Sequence, residues 1–285
     1  MKRALGILLS VAALIAMLML PERATASQFK IAIMQDQQGA AMKFKPLLDY
    51  LNKKGAEASF VSTADYPAAA QMFASGQVDA MFSGSGIAGS MIIKELAAPV
   101  ARPVDKDGIS TYWAVVIAPK GAAKFTGKAD YFNNKKVVTT SLASAGEFFF
   151  RSLPGAATSS ATIEKAVSHG AALAALDRGY ADFAIVKNHI WEKNRDKYPN
   201  LAQVGEDKGE NPDGTLIVSK KADPKAVAKV TAALLAIKDD GSADAQAVKN
   251  GLEIQGYVKT SEKDFAHTLP MLKRAGVTKA FAFAF

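Results

Sequence analysis

Residues 65–82 read DYPAAAQMFASGQVDAMF and residues 168–185 read SHGAALAALDRGYADFAI. The copies keep one offset throughout, since Gly76 and Gly179, Asp79 and Asp182, and Tyr66 and His169 are all separated by 179 − 76 = 103 positions. In each, Asp65 or Ser168 is placed to cap a short Ala-rich helix, Gly76 or Gly179 to close it, and a buried strand follows. A shared helix-strand element at a constant offset implies two α/β lobes. Tyr66 and His169 then stand at matching helix N-termini, where free N–H groups and the positive dipole end favour anions.

Outward from the first copy, 29–34 forms a compact apolar strand, 35–39 a polar loop and 42–53 a helix with Phe44, Leu47, Leu48 and Leu51 at helical spacing. A strand follows at 58–62 and another at 78–82. Ser83-Gly84-Ser85-Gly86 leads into a helix that runs to Leu96. Alternation of strand and helix implies a parallel sheet. Thr111 to Ala118 is a β-rich run expected to cross between lobes. A strand at 135–140 turns through Ser141-Leu-Ala-Ser144-Ala145-Gly146 into a helix that Pro154 stops. Gly209 to Gly214 is rich in turn residues and precedes a strand at 215–218, a natural return crossing. Helices expected at 224–238, 243–250 and 261–275 then pack back on the first lobe. The division is 27–115 and 217–285 for a discontinuous first lobe, with 116–216 as the second.

Lys2 and Arg3 precede an apolar run from Ala4 to Leu20, and Ala24-Thr25-Ala26 has the small-residue spacing of a cleavage site. Residues 1–26 are therefore expected to be a signal peptide, removed on export to the periplasm. The chain has no cysteine, so no lipoprotein attachment, disulfide or thiol chemistry is expected. Cleavage removes Lys2, Arg3, Arg23 and Glu22, lowering the net charge from +8 to +6 and leaving 285 − 26 = 259 residues, enough for two lobes with their own cores. Charge is scattered without a long basic tract, which argues against nucleic acid. A moderate positive field suits a small anion or simply reflects a solvated Lys-rich surface.

Taken in order, the helix Phe44 to Leu51, the Asp65-Tyr66 helix start, Gly76-Gln-Val-Asp79, the Ser141 to Gly146 turn, the Ser168-His169 helix start and the run Asn211 to Val218 resemble a known family. It is that of the periplasmic solute-binding proteins of phosphate, phosphite and phosphonate ABC transporters, in the two-crossover, type II class. The resemblance covers nearly all of the chain after residue 26. It implies two lobes that close on an oxyanion, a membrane permease as partner, a monomer and no cofactor. Ligand contacts implied by the family fall on Tyr66 from the first lobe and on Ser141, Ser144 and His169 from the second, with Ala145 and Gly146 in the same turn. Serine hydroxyls and backbone N–H groups at such a turn donate to phosphoryl oxygens, and an imidazole adds a charged donor. Ser83, Gly84 and Ser85 form a comparable turn on the opposing lobe, small enough for close approach to a ligand. Two departures stand out. Alanine occupies a position in the Ser141 turn where relatives carry hydroxyls, and Val186-Lys187-Asn188 lies where many relatives place an acid that meets a ligand amine. An amine-free anion such as phosphate, phosphite or an alkylphosphonate is expected.

Each site residue has a plainer reading. Tyr66 can cover an apolar edge, Ser141 and Ser144 can cap the helix at Glu147, and His169 can be a polar residue beside a cap. Asp79 and Asp182 follow helix ends and are expected to tie down turns. Tyr112 and Trp113 either line the cleft or pack the crossing strand; His189, His267 and Trp191 are expected to be structural. No enzyme is expected, since there is no cysteine, no paired-histidine metal spacing and no Gly-x-Ser-x-Gly elbow, the nearest string being Gly84-Ser85-Gly86-Ile-Ala-Gly89. A binding protein for another small anion such as a sulfonate, or a ligand-sensing accessory of a membrane signalling protein, are the other readings.

Overall fold

The computed structural model describes residues 28–34, 40–63, 66–140 and 144–283. The expected signal segment, the 35–39 loop, Asp65 and Ser141 lie outside them. Two sheets dominate. The first has the order β13-β4-β12-β3-β1-β2 and the second β10-β6-β9-β7-β8. In the first, β1 (Phe29–Met34) runs parallel to β2 (Ala58–Thr63) and β3 (Ala80–Ser83). In the second, β7 (Lys136–Thr140) runs parallel to β8 (Thr162–Ala166) and β9 (Phe183–Lys187). Next to β3 lies antiparallel β12 (Thr215–Ser219), and next to β9 antiparallel β6 (Ala114–Pro119). The molecule is an α/β protein of two lobes, one built on each sheet.

The 103-residue repeat is visible in the fold. A helical turn at Ala40–Lys43 leads into α1 (Lys45–Lys53), followed by α2 (Tyr66–Ala74) and α3 (Ser85–Ile93). The second sheet carries α4 (Ala145–Ser152), α5 (His169–Asp177) and α6 (Asn188–Asn194). Helices α2 and α5 end at Gly76 (φ 75°) and Gly179 (φ 74°), left-handed positions where a Cβ would be strained. Asp79 and Asp182 do the same work in both copies, each accepting a 2.8 Å bond from an N–H at the start of the neighbouring strand, Lys30 and Lys136.

The crossing is narrower than expected from the Thr111 to Ala118 run. Only β5 (Thr111–Tyr112) pairs with β11 (Asn211–Pro212), as a separate two-stranded ribbon, whereas β6 belongs wholly to the second sheet. Several elements stand where none is predicted. β4 (Ala97–Asp105), β8 and β10 (Leu201–Glu206) are unexpected strands, and α6 is an unexpected helix. The expected C-terminal helices are α7 (Pro224–Ala236), α8 (Ala243–Leu252) and a shorter α9 (Thr268–Arg274), with β13 (Ile254–Lys259) between the last two.

Strand alternation divides the core. Val115 and Ile117 of β6 face a cluster with Leu173, Leu176 and Trp191, whereas Ala114, Val116 and Ala118 face another. That second cluster also holds Met81, Ile217, Phe148, Met271 and Phe281, so apolar packing runs from one sheet to the other behind the cleft.

Candidate functional site

The parallel strands β2, β3, β7, β8 and β9 deliver the chain to the cleft at their C-terminal ends, where open α/β sheets place ligands. A cavity of about 100 Å³ lies there. Tyr66 opens α2, Gly84 and Ser85 follow β3, Ser144 and Ala145 follow β7, and His169 opens α5; all line it. Four helix N-termini therefore converge, each turning the positive end of its dipole toward the cavity. Ser144 Oγ accepts from the Glu147 N–H (3.2 Å) and Ser168 Oγ from the Ala171 N–H (3.1 Å), so Ser144 both caps α4 and reaches the cavity.

Thr140 at the end of β7 and Lys187 at the end of β9 line it without having been named from sequence, and of the two readings left open for Tyr112, on the crossing ribbon, the cavity wall is the one it occupies. The ribbon brings Tyr112 across, where its hydroxyl bonds Ser85 Oγ. Burial, then the nearby Asp213 charge, holds the Tyr112 phenol above its ordinary range, so the hydroxyl stays protonated. Lys187 had a signal in the sequence. It stands 187 − 84 = 103 residues after Gly84, and α6 starts at Asn188 as α3 starts at Ser85, so the repeat extends past its second strand.

Two expected residues lie elsewhere. Ser83 is buried beneath the turn, its hydroxyl without a hydrogen-bond partner among the described residues. Gly146 serves packing, because a Cβ there would stand 2.5 Å from the Ile185 carbonyl oxygen of β9. The charge expected on His169 is also corrected. Burial first, then the charges of Lys187 and His189, push its pKa down to about 3 against the pull of Asp213, so the ring is neutral at pH 7. Its Nδ1 is buried with no hydrogen-bond partner among the described residues.

The other histidines divide. His189 lines a neighbouring cavity of about 440 Å³ with Thr111 and Asp213. His267 is structural, its Nε2 lying 2.8 Å from Asp207 Oδ2 and its ring against Gly209. Trp191 is buried in the core of the second lobe.

Residues 29–265 match the model of a family described as ABC transporter, phosphonate, periplasmic substrate-binding protein. The chain belongs to this family. Comparison with curated proteins finds no match. Among solved structures, this phosphonate-binding family member is similar to a Xanthomonas citri protein solved with chloride and with ATP. The TM-scores are 0.72 and 0.71 at 14% identity, over 87% of this chain and 97% and 96% of that one. It is also similar to PhnD1 of Prochlorococcus marinus in complex with methylphosphonate (TM-score 0.67, 15% identity, 87% of this chain and 98% of that one). A binding-protein component of a phosphonate ABC transporter from Pseudomonas aeruginosa gives 0.62 at 13% identity, over 86% of each chain. At these identities the likeness is one of fold. Family membership makes the protein a transport solute-binding protein, from a family that is periplasmic and not one of enzymes.

Proposed function

We propose that this protein captures a small phosphorus oxyanion, namely phosphate, phosphite or a short phosphonate, between its lobes and hands it to the membrane permease of an ABC importer. The observation that carries this reading is the wall of the cavity. Hydroxyls of Tyr66, Ser85, Thr140 and Ser144, four helix N-termini and the Lys187 ammonium surround it, and among the described residues no carboxylate lines it. Such a wall stabilises negative charge, and its formally charged side chain is a cation. In this reading Tyr66, Gly84, Ser85, Ser144, Ala145 and His169 are ligand contacts, with Ser141 assigned from the sequence alone. The protein acts as a monomer without catalysis or cofactor, and residues 1–26 are a cleaved, lipid-free export signal.

Thermal denaturation with added ligands tests the proposal. Phosphate, phosphite or methylphosphonate at 100 times its dissociation constant should contribute about 2.7 kcal/mol and raise the melting temperature. An increase with an amino acid, and none with any phosphorus oxyanion, would refute it.

A further inference from the structure

We propose that Lys187 is the specificity-determining cation of this cleft and selects a doubly charged oxyanion over a singly charged one. The inference rests on the oxyanion reading and adds the charge state of the ligand. Lys187 Nζ lies 2.6 Å from Asp213 Oδ1 and 4.3 Å from the centroid of the Tyr112 ring, with its side chain 19% exposed. An ammonium so withdrawn from water is held only where partners offset its desolvation, and here a carboxylate and an aromatic face do so. Among the described residues, Asp213 is the hydrogen-bond acceptor that engages one of its three N–H donors.

The arrangement is directional. Lys187 lines the oxyanion cavity, whereas Asp213 lines the neighbouring, larger one. The pair is neutral as a whole but presents its positive end to the anion. Around the ammonium stand Asp213 from the β11–β12 turn, Tyr112 from β5, His169 from α5 and His189 from α6. Burial pushes Asp213 upward, but the Lys187 charge and hydrogen bond, His189 and the Gly214 N–H hold it below the usual carboxylate range, so it stays ionised. Both imidazoles are held down, each first by burial and then by the Lys187 charge. Every other side-chain donor in the wall is therefore uncharged at neutral pH. Hydroxyls and N–H groups accept any tetrahedral anion of the right size. A second negative charge interacts chiefly with a nearby cation, and more strongly in a partly dry cleft than in water.

Calorimetric titration with two probes of similar shape tests this. At about pH 8.5, above the second ionisation of a phosphoryl group, methylphosphonate is mostly a dianion, while methanesulfonate carries one charge. Lys187→Met should weaken methylphosphonate binding about 10- to 100-fold and change methanesulfonate binding far less. Asp213→Asn breaks the same ion pair but keeps the ammonium, so methylphosphonate affinity should hold or increase. The two variants thus differ in sign, which a pair that merely braced the fold would not produce. Should Lys187→Met fail to fold because Asp213 is left uncompensated, the double variant Lys187→Met/Asp213→Asn supplies the same reading. Parallel losses for both ligands in both single variants, or wild-type affinity for methylphosphonate without Lys187, overturn the assignment. If the wild-type protein binds no phosphorus oxyanion, it is the underlying functional reading that fails.

Discussion

His169 shows how a residue placed for an anion also sets a response to acid. Its folded pKa of about 3 lies below the ordinary histidine value of about 6.5. Between those values the unfolded chain binds a proton that the folded protein does not, so stability increases with pH across that window and is lost as pH falls through it. Melting temperatures from pH 7 down to about pH 4 should therefore fall, and His169→Gln should flatten the slope relative to wild type. An unchanged slope would place the acid sensitivity elsewhere. At this scale the sequence was informative where a residue type and a repeat position agreed, as at Tyr66 and His169. At Gly146 it was ambiguous, because a glycine at a helix start reads the same whether a ligand or a neighbouring carbonyl lies over it. Lys187 was legible only by continuing the repeat beyond its strand, and the neutrality of His169 was not legible at all, since it depends on charges brought together by folding.

Helix α4 joins two demands in one short element. Ser144 caps it and faces the cavity, while Gly146, two residues on, lets it lie against β9. Gly146→Ala would drive a Cβ to 2.5 Å from a backbone oxygen that cannot swing aside, so one of the two elements must move. Denaturant unfolding should show a loss of about 1–3 kcal/mol, the usual range for overpacking. Unchanged stability would mean that the contact yields freely. Elements with a clean period were readable from sequence, as with α1 and the apolar strands β1, β3 and β9. Strand β4 was hidden by Pro99 and Pro103, which lack the N–H that a ladder uses. It is accommodated beside β12 and β13 where the registers shift, near Leu216/Ile217 and Ile254/Gly256. Strand β13 was hidden by Gly256, whose φ of 150° and close approach to the Lys238 backbone leave no room for a side chain.

Across the molecule, the two sheets are joined through a ribbon of two residues on each strand, Thr111–Tyr112 and Asn211–Pro212. The ribbon is fastened on the first-lobe side, where Thr268 Oγ1 donates to Asn211 Oδ1 at 2.8 Å. Closure should therefore be a rotation concentrated at the ribbon, with each sheet moving as a unit. Small-angle scattering should give a smaller radius of gyration with saturating methylphosphonate than without it. An identical value would count against a closing clamp. The existence of two lobes followed from one repeated stretch. The return strand of the joint falls within the expected crossing at Gly209 to Gly214, but the forward one was legible only as the longer run Thr111 to Ala118, because that run is uniformly β-rich and the break at Trp113 depends on pairing with a segment about a hundred residues away.

Strand β12 lies between β3 and β4, so those two early strands meet no ladder partner in common until residue 215 arrives. A polypeptide that emerges N-terminus first can complete the second sheet, whose strands span 114–206, while the first still lacks its middle. The topology thereby allows the later lobe to complete its sheet first. Until residue 215 arrives, the edges of β3 and β4 that β12 covers have no strand to pair with, and these are the surfaces an escorting chaperone would have reason to cover.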